Sequence, residues 1–116
     1  MLKIGQLHED VLHASGAETA TGNSAAASKQ SADVVTCDLD VTAASGTTPT
    51  LDITIQESID KVNWYSLGTF TQATGVTNEQ KKFADPAPYI RGLWTIGGTT
   101  PSFTFTLKTT RRTVAA

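Results

Sequence analysis

The chain has 116 residues, of which 39% are hydrophobic and 17% charged, with a formal net charge of −2. This length suits one domain with a core of its own, and the charge-poor balance excludes the basic stripe that tracks nucleic-acid phosphates. No run approaches the roughly 20 apolar residues of a membrane-spanning helix, so neither nucleic acid nor membrane is an expected partner.

The first stretch, "MLKIGQLHEDVLHASG", has no signal-peptide pattern of basic residues before a long apolar run. Next comes "ASGAETATGNSAAASKQSA" (14–32), small, polar and low in complexity. It carries no large apolar residue and cannot order itself by burial. Residues 1–31 are therefore expected to form an extended N-terminal arm, ordered by the domain's flank or by a neighbouring subunit. From Asp33 the pattern turns to period two. "DVVTCDLDVT" (33–42) places Val35, Cys37, Leu39 and Val41 on one face and Thr36, Asp38, Asp40 and Thr42 on the other, a half-buried strand. "LDITIQES" (51–58) repeats this with Leu51, Ile53 and Ile55 inward. "NWYSLGTFTQ" (63–72) puts Trp64 and Phe70 on one parity, and the charged "NEQKKFADP" (78–86) reads as an edge strand. "APYIRGLWTI" (87–96) aligns Ile90, Trp94 and Ile96, and "SFTFTLKTT" (102–110) aligns Phe103, Phe105 and Leu107.

No window has helical spacing, and strands recur with turn residues between them. The expectation is an all-β fold: an antiparallel β-sandwich, Ig-like or jelly-roll-like, of about seven to eight strands. The sandwich domain is expected over 32–110, followed by a short tail at 111–116. One phrase occurs twice, "GTTPTLDITI" (46–55) and "GTTPSFTFTL" (98–107). Gly46 and Gly97–Gly98 offer unusual φ values, and Pro49 and Pro101 can open a strand without cost. Two equivalent hairpins are expected, pairing Val41 with Leu51, Leu39 with Ile53, and Trp94 with Phe103.

Chemistry-bearing residues are sparse. His8 and His13 have no third or fourth ligand at metal-site spacing and read as solvated or interface histidines. Cys37, the single cysteine, forms no internal disulfide and lies on an apolar face. It reads as a core residue and suits a reducing compartment. In the hairpin register Asp40 would face Asp52, near Asp38. That repulsion could be relieved by a calcium ion, by a cation from a neighbouring subunit, or by solvent screening, the plainest of the three. Glu57 and Glu79 sit at strand ends with nothing to define a cleft. Trp64 and Trp94 are expected in the core; Tyr65 and Tyr89 are expected outside, where they could contribute to a sugar platform. Arg111 and Arg112 are expected in the tail, contacting a partner. No catalytic, cofactor-binding or metal site is expected, and no enzyme activity.

The strings "LDVTAASGTTPTLDITIQESIDKVNWYSLGTFTQ" (39–72) and "YIRGLWTIGGTTPSFTFTL" (89–107) resemble small virion proteins of tailed bacteriophages. Such proteins read similarly through both Gly-Thr-Thr-Pro phrases. The chain departs from them at Asp60–Lys61, where an Asp-Gly turn is common. The resemblance implies a capsid-associated structural protein: a head decoration or cement protein that is made in the host bacterial cytoplasm and sits on the capsid surface. It implies the major capsid protein as partner and a homo-oligomer, first a trimer and otherwise a dimer. Tail or head–tail components are relatives on the same grounds, and a carbohydrate-binding adhesion module is the alternative. The arm would order on docking and add contact area.

Overall fold

A computed structural model describes residues 6–113. Among the described residues there are six strands and no helix: β1 (Leu7–Glu18), β2 (Gly22–Asn23), β3 (Val34–Ser58), β4 (Tyr65–Thr69), β5 (Thr77–Ala84) and β6 (Tyr89–Arg112). All pairings are antiparallel.

The long strands β3 and β6 run beside each other for their whole length, from Val34↔Arg112 to Ser58↔Tyr89. Each serves both layers of a β-sandwich. In the first layer, residues 34–45 of β3 and 102–112 of β6 lie between β5 and β1. In the second, residues 50–58 of β3 and 89–97 of β6 lie between β4 and β2. With β3 and β6 counted once in each layer, the six strands give eight segments, within the seven to eight expected.

Alternation fills the space between layers. Val35, Cys37, Leu39, Val41, Leu51, Ile53, Ile55, Ile90, Trp94, Phe103, Phe105 and Leu107 form one buried cluster. Burying each large apolar side chain contributes about 1.5–3 kcal/mol. Threonine fills half of the outward positions of β6 beyond the bend (Thr104, Thr106 and Thr110), where its branched side chain fits a pleated surface.

The repeated phrase does not make hairpins. At each Gly-Thr-Thr-Pro the strand bends and crosses to the other layer, and the two bends sit against each other. Leu39 pairs with Leu107 and Val41 with Phe105; Leu51 pairs with Ile96 and Ile53 with Trp94. The expected pairs Val41–Leu51, Leu39–Ile53 and Trp94–Phe103 do not form. The two bends match closely: φ is 110° at Gly46 and 112° at Gly98, and 46° at Thr48 and 48° at Thr100. A Cβ on Gly46 would lie 2.7 Å from the Thr100 carbonyl oxygen, and one on Gly98 would lie 2.8 Å from that of Thr48. The phrase is written twice because each copy is the surface on which the other packs. Parity could not reveal this, since a reversal and a bend send the same residues inward.

The boundaries expected at residues 31 and 111 also differ from the fold. Residues 7–18, expected in an arm, form β1 along β6. Beyond β2 the chain follows β6 through main-chain bonds from Ser24 to Gly92, Ala27 to Ile90 and Gln30 to Pro88. The small residues of this segment lie flat on a sheet edge and take their order from β6. Arg111, expected in the tail, is fully buried in β6. Residues 1–5 and 114–116 of the arm and tail lie outside the described residues.

Candidate functional site

Most of the residues singled out from the sequence hold structural contacts. Cys37 is buried in β3, and burial pushes its thiol up to about 12, which leaves it protonated and unreactive at neutral pH. Asp40 and Asp52 do not face each other: Asp40 pairs with Thr106 and Asn78, Asp52 with Thr95. Asp52 accepts both of its side-chain bonds from Gln72 Nε2, at 3.2 and 3.1 Å. The repulsion inferred from the hairpin register therefore does not arise. Glu57 accepts the Ala87 amide at 2.8 Å. Glu79 accepts the amide and hydroxyl of Thr71 at 2.8 and 2.9 Å.

His13 is part-buried, stacked on Phe105 with ring centroids 4.0 Å apart and edge-on to Trp94 at 5.0 Å. Its Nδ1 lies 2.9 Å from the Phe105 carbonyl oxygen and its Nε2 2.9 Å from Glu18 Oε1. It fastens β1 to the core. His8 Nε2 lies 3.3 Å from Asp10 Oδ2. Asp10 in turn meets Arg111 Nη2 at 2.7 Å. The buried guanidinium also donates to the carbonyls of Ser28 at 2.9 Å, Pro88 at 3.0 Å and Gln30 at 3.3 Å. One cation near the end of β6 thus ties together β1, the segment after β2 and the turn that leads into β6. Sequence reading assigned Arg111 to the tail, yet the alternation Phe103, Phe105, Leu107, Thr109, Arg111 already placed it inward.

The aromatics divide. Trp94 is in the core, as its parity indicates. Trp64 is not: it is half-buried, with the Arg91 guanidinium 4.3 Å from its ring centre, and Arg91 Nε donates to Gln56 at 2.8 Å. It precedes β4, so strand parity does not govern it. Tyr65 is 67% exposed, whereas Tyr89 is half-buried beneath Lys61 Nζ, 5.2 Å from its ring. The turn before Trp64 is tightly held. Asp60 accepts the amides of Asn63 and Val62 and the Ser58 hydroxyl, which draw its carboxyl down to about 2. Lys61 takes the left-handed conformation at φ 64°. This turn carries Ile59 and Val62, both more than 70% exposed.

What remains for recognition is surface. The outer face of the first layer has a hollow of about 330 Å³ bordered by Glu9, Thr36, Asp38, Gln80, Lys108 and Thr110. A smaller one of about 100 Å³ lies between Asp38, Asp40, Thr106 and Lys108. Asp38 and Lys108 are opposite each other in register and border both. Carboxylate, ammonium and hydroxyl groups side by side on a rigid sheet suit hydrogen bonding to another surface. Among the described residues, no group of three or more His, Cys, Asp and Glu side chains is placed to hold a metal ion.

The fold is an antiparallel β-sandwich whose two central strands span both layers. No protein-family profile and no curated protein matches the sequence. Among solved structures, the chain is similar in fold to the PBSX exported protein XepA, with a TM-score of 0.65 and 13% identity over 94% of this chain. It spans 38% of the length of that protein. It is similar over nearly the full length of both chains, 95% and 97%, to the SPBc2 prophage-derived protein YomS, with a TM-score of 0.53 and 12% identity. It is also similar to 31% of a chain of the T13 IBDV viral particle, with a TM-score of 0.54 and 12% identity over 92% of this chain.

Proposed function

We propose that this chain is a non-enzymatic structural protein of a tailed-bacteriophage virion, acting as a head decoration or cement protein that binds the major capsid protein on the outer shell and resists its separation. The observation that carries the reading is that many of its ionisable side chains hold its own architecture together. Arg111, Asp10, His13, Glu57, Asp60 and Glu79 all bind partners within the chain, and what is left for recognition is broad sheet surface. The resemblance of both Gly-Thr-Thr-Pro segments to phage virion proteins supports it, as does likeness in fold to the PBSX exported protein XepA, to a prophage-derived protein and to a viral particle chain.

Such a protein works by interface area: a standard interface buries on the order of 1,600 Å², and each added contact opposes the outward push of packed DNA. The sugar-platform alternative loses ground because Tyr89 is half-buried beneath Lys61 Nζ, which leaves Tyr65 as the exposed member of the expected pair. Copy number in purified particles tests the proposal. Hundreds of copies, with saturable binding to expanded empty heads, are expected. A handful of copies confined to the tail would overturn the shell assignment.

A further inference from the structure

The sandwich has four sheet edges, and three of them are poorly suited to pairing with another strand. β1 is interrupted by two register shifts, β4 has five residues and one shift, and β2 has only two residues. Bulges, short length and charged side chains are the usual protections of an edge. β5 has only the last, in Glu79, Lys81 and Lys82. It pairs with β3 without a shift from Thr77 to Ala84, and among the described residues β3 is its only strand partner.

We infer that β5 is a self-association edge, and that a second copy of this chain adds its own β5 antiparallel across a twofold axis at Gln80. The charges select both the partner and the register. A twofold axis through a continuous sheet keeps each side chain on its own face, so only registers that match residues of equal parity are allowed. With the axis at Gln80, residues 77–83 of both copies pair. Glu79 then meets Lys81 of the partner subunit twice, on the face turned toward the second layer. Lys82 meets the partner's Asn78 on the outer face. Moving the axis to Lys81, Lys82 or Glu79 sets two like charges opposite each other, which is unfavourable. The lysines that would repel a foreign strand therefore permit this one pairing. Glu79 is also prepared for it: the Thr71 amide and hydroxyl hold its carboxylate in place, and each oxygen keeps a free lone pair. The product is one sheet running β1–β6–β3–β5 and on through the partner in reverse order, with the two threonine-rich outer faces made continuous. This inference does not depend on the virion role.

Sedimentation equilibrium of the full chain is expected to give a monomer–dimer equilibrium. Lys81→Glu and Glu79→Lys should each weaken dimerisation about tenfold, because two favourable pairs become two repulsive ones. An equimolar mixture of the two variants should recover the dimer, since each lysine again faces a carboxylate. A wild-type chain that stays monomeric at millimolar concentration, a dimer indifferent to K81E, or a mixture of folded variants that does not re-associate would overturn the proposal. Glu79 also supports Thr71, so a second variant covers misfolding of E79K. Gln80→Cys places two thiols opposite each other at the axis, with Cys37 buried and unreactive. Oxidation should then yield a disulfide-linked dimer, and its absence would overturn the inference.

Discussion

Arg111 shows how much a single side chain can hold. Its guanidinium is fully buried, and the carboxylate of Asp10 neutralises it from a different strand. Removing one member of such a pair strands the other charge in low dielectric, which costs about 3–5 kcal/mol. Asp10→Ala is therefore expected to lower stability by about that amount in urea unfolding, whereas truncating the exposed Glu9 should change it by no more than about 0.5 kcal/mol. Asp60 gives a pH signature. Its folded carboxyl titrates near 2, below the ordinary 3.8, because two amides and a hydroxyl bind the ionised form. Its stabilising contribution is complete above about pH 4 and disappears as pH falls toward 2. Carbon-detected NMR titration should show this midpoint, and a midpoint near 4 would mean that the turn is not formed as described.

At the level of elements, the two bends are reciprocal parts of one joint. Gly46 and Gly98 both occupy backbone space closed to other residues, and in both the missing Cβ would strike a carbonyl of the opposite bend. Gly46→Ala and Gly98→Ala are each expected to cost about 1–3 kcal/mol, and by similar amounts, with calorimetry as the measurement. Hairpin glycines in separate layers would have no reason to match. The inward sets of β3 and β6 were legible in the sequence, because alternation survives any connection: Val35, Cys37, Leu39, Val41, Leu51, Ile53, Ile55, Phe103, Phe105 and Leu107 are all in the core. Which strand pairs with which was not legible. Leu39 finds Leu107 across most of the chain, and no local pattern encodes that distance. The candidate surface was legible only as a list of outward residues. That Asp38 and Lys108 share a hollow depends on the same long-range pairing. Trp64 was misplaced because strand parity was extended one residue beyond the strand.

The whole molecule depends on β1 more than its composition suggests. β1 supplies Asp10 to Arg111, His13 to the Phe105–Trp94 cluster and Leu12 to the edge of the core. Deleting residues 1–18 is expected to destabilise the chain by at least about 3 kcal/mol, or to prevent folding, as read by circular dichroism and urea titration. A truncated chain of undiminished stability would make β1 an accessory. The shared central strands also imply one cooperative transition, because neither layer retains its middle if the other opens.

The pairing of Leu7 with Arg112 puts both ends of the described chain at one extremity of the first layer. A tether pulling on those two ends would peel β1 from β6 like a zipper, breaking bonds one after another at low force. Tension applied along β3 against β6 would instead strain their whole ladder at once. The molecule is thus expected to yield at low force when pulled by its ends and at higher force when β3 is sheared along β6.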